Sequence, residues 1–163
     1  MRIRLCWRSG STRSLRLSPK IANSSKGKVV VDPTNPLKLD GNGTPMRSLP
    51  EGQSAGSVVV SLLPAEAHCV KAFGTLAAPA LGASANRSPR RVVLFYATDD
   101  ALAAATAERL ISAAGFDAVQ AGGYKDVACI EMPGGDLHQG GGLKGALLDV
   151  DQARAAVAAT AVL

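Results

Sequence analysis

A glycine pattern near the C-terminus is the most direct pointer to phosphate chemistry in this sequence. Residues 140–145 (GGGLKG) satisfy G-x-G-x-x-G, which holds the pyrophosphate of a dinucleotide when an apolar strand leads into it and a helix follows. Here the polar residues 136–139 (DLHQ) precede the glycines, and only 18 residues follow Gly145. These flanks do not form a βαβ unit, so we reject the dinucleotide-binding interpretation for this loop.

The cysteines and histidines do not have the spacing of a metal site. Cys6, Cys69 and Cys129 lie far apart and form no CxxC pair. His68 is next to Cys69, but neighbouring residues on a strand point to opposite faces and do not hold one small ion together. We therefore expect neither a metal site nor a disulfide framework.

Short apolar runs define the strands that would position any functional residue. Residues 29–31 (VVV), 69–73 (CVKAF) and 91–96 (RVVLFY) have the β-branched and aromatic composition of buried strands, and residues 116–120 form a fourth candidate. Helical patterns separate these runs. The alternation predicts an α/β fold with a parallel sheet and flanking helices.

Two of the intervening segments are predicted to be short helices. Ser54 can cap a helix over residues 55–63, although the three valines at 58–60 also suit a strand. Residues 75–81 form a second short helix, which Pro79 weakens.

A longer helix is predicted to begin at Thr98 or Asp99 and to end before Gly115. Its inner face, at helical spacing, consists of Leu102, Thr106, Leu110 and Ala113. The stretch 122–145 is glycine-dense and irregular, and loops of that length inside a compact domain are often functional.

The net charge of +5 is concentrated at the N-terminus. Residues 1–28 carry eight Arg and Lys and no acid, so the rest of the chain, with ten basic and thirteen acidic residues, has a net charge of −3. Nucleic-acid-binding domains usually spread their cations over a folded face, often with aromatic residues for stacking. We therefore do not expect the body of this protein to bind nucleic acid.

The chain divides into two regions. Residues 1–27 are basic and Ser-rich, and we expect them to be disordered because they bury too little apolar surface to offset their ordering entropy. An organelle transit peptide and a wrongly assigned start both fit this composition as well. Residues 28–163 are predicted to form one domain. No apolar run approaches the ~20 residues of a membrane span and no secretory signal is evident, so we expect a soluble, cytoplasmic protein.

Several short segments follow one another in a characteristic order. They are residues 32–37 (DPTNPL), 54–56 (SAG), 62–64 (LLP), 70–76 (VKAFGTL) and 92–100 (VVLFYATDD). In this order they resemble the second half of the F420-dependent NADP reductase family, over roughly residues 27–121. Residues 130–139 (IEMPGGDLHQ) resemble bacterial members of the broader dinucleotide-binding group.

The resemblance implies a partial Rossmann-like domain whose N-terminal nucleotide-binding βαβ unit is missing. It implies hydride transfer between NADP(H) and a deazaflavin such as coenzyme F420, cofactors that carry the chemistry while the protein supplies position and excludes water. It also implies small-molecule redox partners and a homodimer. Because the missing unit holds the main pyrophosphate anchor, we expect the chain to bind NADPH weakly or not at all.

The resemblance also assigns site residues. Those expected to contact cofactor are Thr34, Asn35, Pro36, Lys71 and Thr75, and His138 is expected to contact substrate. Each polar residue also has an interpretation that needs no ligand: Thr34 and Asn35 can satisfy their own turn, Lys71 can be a solvated strand end, and His138 can be a surface residue.

One residue departs from the family pattern. Gly74 stands where the family usually has Asn, so a side-chain amide that could contact a ring is absent. Two alternatives to the enzyme therefore stay open. The chain can be a non-catalytic remnant or interaction domain with an uncovered sheet edge, or a nucleic-acid-binding or organelle-targeted protein that uses its basic N-terminal segment.

Overall fold

The computed structural model describes residues 4–5 and 23–160. In chain order the elements are β1 (Arg4–Leu5), β2 (Val29–Asp32), β3 (Leu37–Leu39), β4 (Pro45–Arg47), α1 (Ala55–Ser61), β5 (His68–Ala72), α2 (Ala78–Ser84), β6 (Val93–Ala97), α3 (Ala101–Ala113), β7 (Asp117–Gly122), a 3-10 helix (Tyr124–Ile130) and α4 (Val150–Thr160). The disorder expected for residues 1–27 falls mostly outside the described residues and stays a prediction.

The central sheet has the strand order β1-β2-β5-β6-β7, and β3 and β4 form a separate antiparallel hairpin. The pairs β1/β2, β2/β5 and β6/β7 are parallel. The predicted α/β class and Rossmann-like, mostly parallel sheet with flanking helices are confirmed.

The prediction of a wholly parallel sheet is wrong between β5 and β6, which pair antiparallel with Lys71 opposite Ala97. A parallel pair needs a crossover connection, usually a helix packed on the sheet. The connection here contains α2, of whose seven residues only Ser84 is buried. Because α2 is not packed as a crossover helix, β6 returns beside β5 in the opposite direction.

Helices cover both faces of the sheet, which explains why the central runs at 29–31 and 93–97 are continuously apolar. One face packs against α3 in a cluster that includes Val31, Val70, Leu94, Ala107 and Ile111. The other face packs against the 3-10 helix and α4 in a cluster that includes Phe95, Val119, Val127, Ile130 and Ala153. In a smaller cluster, Val59 of α1 packs against Val30 and Cys69 on this second face.

The longest helix, α3, begins one residue later than predicted. Asp100 is its N-cap, and the Asp100 carboxylate accepts a hydrogen bond of 2.8 Å from the Ala103 N–H. Gly115, with a φ of +90°, ends it as predicted.

The predicted inner face of α3 is confirmed at Thr106 and at Leu110, which is half-buried against the core, and is wrong at Leu102 and Ala113, which are exposed. The residues that face the sheet are Ala103, Thr106, Ala107 and Ile111, whereas Leu102 is 50% exposed. Alanine gives little hydrophobic signal in a sequence pattern, yet it lets the helix lie close to the strands.

The short helices and the loops differ from the sequence predictions in detail. Ser54 caps α1 as predicted. The second short helix begins at Ala78 instead of residue 75, because Pro79 is accommodated in its first turn. The stretch 122–145 contains the 3-10 helix, and residues 37–47 form the β3–β4 hairpin. Among the described residues, no helix has both the length and the apolar character to cross a membrane.

Candidate functional site

Strands β2 and β5 are parallel neighbours, so their carboxyl ends lie at the same edge of the sheet. In open α/β sheets, ligands bind in the crevice outside such carboxyl ends. The loops that follow, residues 33–36 and 73–77, meet a third segment here, residues 131–142, which we call the strap. These three segments form the candidate site.

A buried ion network lies beneath the site. The Lys71 Nζ atom is 2.9 Å from Asp32 Oδ2 and 3.0 Å from Glu131 Oε1. All three side chains are at most 2% exposed. The interpretation of Lys71 as a solvated residue at the end of a strand is therefore wrong. Its charge is already neutralised within the protein.

The second carboxylate of this network is balanced by the start of α1. Glu131 accepts hydrogen bonds from the backbone N–H groups of Ala55, at 2.9 Å, and Gly56, at 2.8 Å. The N-terminal amides of a helix carry a partial positive charge, and hydrogen bonds to a carboxylate are stronger than neutral ones. Two buried acids are thus stabilised by one ammonium group and a set of backbone amides.

Thr34 is held by the same network. Its N–H and its hydroxyl both donate to Asp32 Oδ1, at 2.9 and 2.7 Å, and its carbonyl accepts a hydrogen bond from Lys71. With these contacts the turn satisfies its own polar groups. This agrees with the interpretation of the sequence in which Thr34 needs no ligand. The same contacts also fix the backbone that leads to Asn35.

Asn35 ties the three segments together. Its Nδ2 group donates to the Gly74 carbonyl at 2.9 Å, and its Oδ1 atom accepts from the Met132 N–H at 2.8 Å. Pro36, the next residue, is buried. A single side-chain amide thus links the loop after β2 to the loop after β5 and to the strap.

His138 is on the strap and is only 2% exposed. Its Nδ1 atom accepts from the Gly140 N–H at 3.0 Å, so the proton is on Nε2, which donates to the Gly74 carbonyl at 3.0 Å. Burial lowers the pKa of His138 below its usual value of 6.5. The imidazole is therefore neutral and braces the loop after β5. Because His138 is buried, the alternative interpretation of it as a surface residue is wrong.

The loop after β5 contains an unpaired polar group. The Thr75 side chain is buried, and within the described part of the chain its Oγ1 atom has no hydrogen-bond partner. A buried hydroxyl without a partner is costly, so it marks a place where a polar group is to be expected. Next to it, a Cβ atom on Gly74 would lie 3.0 Å from the Pro33 carbonyl, so an asparagine here would require this turn to shift.

The glycine pattern at 140–145 serves packing within the strap. A Cβ atom on Gly141 would lie 2.4 Å from the Gly135 carbonyl oxygen, and one on Gly142 would lie 2.5 Å from that of Asp136. The pattern leads into turns, and the next helix begins only at Val150. This geometry agrees with the rejection of a dinucleotide fingerprint.

Cys69 and His68 have separate partners. Cys69 Sγ accepts a hydrogen bond of 2.6 Å from the Tyr124 hydroxyl, and His68 Nδ1 lies 2.6 Å from Asp100 Oδ2. Burial raises the pKa of the Cys69 thiol to about 11, so the reactive thiolate is scarce at neutral pH. Among the described residues, no group of three or more His, Cys, Asp or Glu side chains could hold a metal ion.

The structure thus brings Thr34, Asn35, Lys71 and His138 into connected hydrogen-bonded contacts, with Thr75 beside them. Sequence reasoning missed the structural importance of Glu131, which links Lys71 to α1. The signal in the sequence that could have indicated this role is that Glu131 is an acid within an otherwise apolar and glycine-rich stretch. Such an acid predicts a buried charge only once its partner in space is known.

No protein-family model and no curated protein matches the chain. Similar solved structures include the hypothetical protein SMa0349 from Sinorhizobium meliloti, at 30% identity and a TM-score of 0.62, covering 76% of this chain and 56% of that one. Another is a candidate F420-dependent NADP reductase from Arthrobacter sp. FB24, at 25% identity and a TM-score of 0.56, covering 65% of this chain and 48% of that one. The chain shares its fold with both. It spans about half the length of each.

Proposed function

We propose that this chain forms the nicotinamide-facing side of an oxidoreductase that transfers hydride between NADP(H) and a deazaflavin such as coenzyme F420. The observation that carries the proposal is the meeting of the loops after β2 and β5 with the strap at one carboxyl edge of the sheet. The likeness to a candidate F420-dependent NADP reductase supports it. NADP supplies the hydride acceptor or donor, and the protein supplies position and excludes water.

The proposed contacts come from the unpaired hydroxyl of Thr75 and from Thr34 and Asn35, whose internal hydrogen bonds leave a hydroxyl lone pair and one amide N–H for a ligand. The Thr75 hydroxyl has no partner among the described residues, and Thr34 and Asn35 are partly exposed at the same edge. We assign these three residues to the polar groups of a nicotinamide ring. Pro36 is buried beside them and limits the movement of the turn.

Lys71 and His138 have supporting roles in this proposal. Lys71 is engaged by Asp32 and Glu131, so it holds the loop of Thr34 in place and does not bind a phosphate. The neutral His138 holds the Gly74 carbonyl through its Nε2–H group. Rigid loops of this kind reduce the entropy that is lost when a ring is aligned for hydride transfer.

The test is an NMR titration of the ¹⁵N-labelled chain with reduced nicotinamide mononucleotide, which carries the nicotinamide ring but not the adenosine half. We expect weak, saturable binding that shifts the amides of residues 33–36 and 73–77. Thr75→Val, which keeps the shape and removes the hydroxyl, should weaken binding about three- to tenfold, in line with the loss of one hydrogen bond. Thr44→Val, on the exposed hairpin, is the matched control.

Two outcomes would count against the proposal. Absence of saturable shifts would refute nicotinamide binding, and shifts confined to a distant surface would refute this site. A separate titration with NADPH tests the pyrophosphate anchor, since micromolar affinity would contradict the expectation of weak binding.

A non-catalytic interaction domain is the second candidate. It is favoured by the internal pairing of Lys71 and His138, which leaves their polar atoms occupied by the protein itself. The same titration separates the two candidates, because an interaction domain has no reason to bind the nicotinamide mononucleotide at the carboxyl edge.

A further inference from the structure

A concave surface lies on the outer side of the start of α1. It is a groove of about 660 Å³ between the end of the β3–β4 hairpin, the start of α1 and the 3-10 helix. Its lining residues are Arg47, Glu51, Gly52, Gln53, Ser54, Ser57, Tyr124, Lys125 and Ala128. We propose that this groove binds a small organic phosphate, and the proposal does not depend on the function proposed above.

The charges of the groove fit a small anion. Arg47 and Lys125 come from different elements, and with Glu51 they give the lining a net charge of +1. An arginine fork matches the geometry of a phosphate, and a lysine adds a compact point charge. A net charge this small does not suit a polyanion such as a nucleic acid, which binds through many cations.

Two side chains of the groove, Arg47 and Tyr124, are held in place before any ligand arrives. Arg47 donates to the Gln53 carbonyl and, at 3.5 Å, to the Pro50 carbonyl, so one cation also fixes the neighbouring wall. Those bonds use two of the five guanidinium donors. Tyr124 is fixed at both ends, by its N–H to Asp99 and by its hydroxyl to Cys69. Such preorganisation lowers the entropic cost of binding.

The start of α1 contributes no backbone amide to this groove. The Ala55 and Gly56 N–H groups bind Glu131, and the Ser57 N–H binds the Ser54 hydroxyl. The positive charges that can attract an anion into the groove are therefore those of the Arg47 and Lys125 side chains. Removing either charge should weaken binding directly.

The open groove has room for a ligand larger than phosphate. Small-molecule sites span about 300–1,000 Å³, and a bare phosphate would fill only a small part of a groove of about 660 Å³. The ring of Tyr124 and the methyl group of Ala128 offer apolar surface to the rest of the ligand. A phosphate that carries an organic group should therefore bind more tightly than inorganic phosphate.

The experiment is an NMR titration of the ¹⁵N-labelled full chain with phenyl phosphate and with inorganic phosphate, at matched ionic strength. We expect saturable shifts at the amides of Ser54, Ser57 and Lys125, with phenyl phosphate binding more tightly. Arg47→Gln should raise Kd about tenfold and Lys125→Gln about threefold, as expected for one charge-assisted hydrogen bond and one exposed charge. Lys38→Gln changes the same charge on the same hairpin outside the lining, and should leave Kd unchanged.

Three results would overturn the proposal: no saturable shift with either probe, phenyl phosphate binding no more tightly than inorganic phosphate, or equal weakening by Lys38→Gln and Lys125→Gln. The last result would reveal a general charge effect. Because Arg47 also fixes the hairpin, Lys125→Gln is the deciding variant if Arg47→Gln unfolds this region. Binding of reduced nicotinamide mononucleotide at residues 33–36 and 73–77 is a separate readout, so either proposal can fail without the other.

Discussion

The Lys71 ammonium group lies 3.0 Å from the Glu131 carboxylate, which joins the end of β5 to the first residue of the strap. Because Lys71 also binds Asp32 at the end of β2, one buried cation holds three separate segments at the candidate site. The position of the strap therefore depends on charge pairing as well as on apolar packing.

Replacing Lys71 by Met should strongly destabilise the protein. The substitution leaves two buried carboxylates without their ammonium partner, and breaking a buried ion pair in this way costs about 3–5 kcal/mol. The free energy of unfolding, measured by urea denaturation, checks this. Lys38→Met, at an exposed position of β3, is the control and should change it by less than about 0.5 kcal/mol. Equal stabilities for the two variants would show that the network contributes little.

Two glycines of the strap should respond differently to alanine. A Cβ atom on Gly142 would lie 2.5 Å from the Asp136 carbonyl oxygen, so Gly142→Ala forces the backbone to move and should cost about 1–3 kcal/mol. A Cβ atom on Gly140 would meet the Met132 side chain at 3.4 Å and His138 Nδ1 at 3.6 Å, which are ordinary contact distances, so Gly140→Ala should be nearly neutral. Thermal unfolding of both variants tests this, and similar losses would contradict the packing role of the pattern.

His138 should make stability depend on pH. Burial lowers the pKa of His138 in the folded protein, so the unfolded chain takes up a proton near pH 6.5 while the folded protein does so only at lower pH. The stability that comes from neutral His138 is thus complete above pH 6.5 and declines as the pH falls below it.

The measurement is the free energy of unfolding between about pH 5 and pH 7.5, a range in which histidines titrate. His138→Gln should flatten this dependence, whereas His68→Gln, at a partly exposed histidine that pairs with Asp100, should leave the His138 contribution in place. An unchanged slope in His138→Gln would rule out this residue as its source.

Asp100 should stabilise α3 mainly as its N-cap. Asp100→Ala removes the acceptor of the Ala103 N–H and should cost about 1–2 kcal/mol. Asp100→Asn retains a good capping side chain and loses only the charge that faces His68, so its cost should be less than about 1 kcal/mol. Comparing the two by urea denaturation separates the cap from the ion pair, and a larger loss in Asp100→Asn would refute the assignment.

The fold class and most elements could be predicted because their causes are local. Continuous β-branched runs gave the strands near Val30 and Leu94, and Ser54 and Gly115 marked helix ends through their own backbone preferences. The direction of β6 could not be predicted, because it depends on whether α2 packs on the sheet. The inner face of α3 was predicted only in part, at Thr106 and Leu110, because two of its buried positions, Ala103 and Ala107, give little hydrophobic signal.

The candidate site was predictable in its location but not in its internal contacts. Thr34, Asn35 and Lys71 follow or end neighbouring strands, so order along the chain places them at one edge. Nothing local shows that Glu131 reaches Lys71, or that Asn35 bridges Gly74 and Met132. Those contacts depend on how the strap crosses the loops, which is a property of the assembled fold.

The reversal of strand direction between β5 and β6 means that the carboxyl ends of the strands lie at two opposite edges of the sheet. The carboxyl ends of β2 and β5 open on one edge, and those of β6 and β7, with the cap of α3, open on the opposite one. The turns at 98–100 and 122–124 thus lie at the other end of the sheet from Asn35, and their own contacts constrain them, since Asp100 caps α3 and Thr98 is buried. Damage at that end can be measured in the Asp100 variants separately from damage at the candidate site.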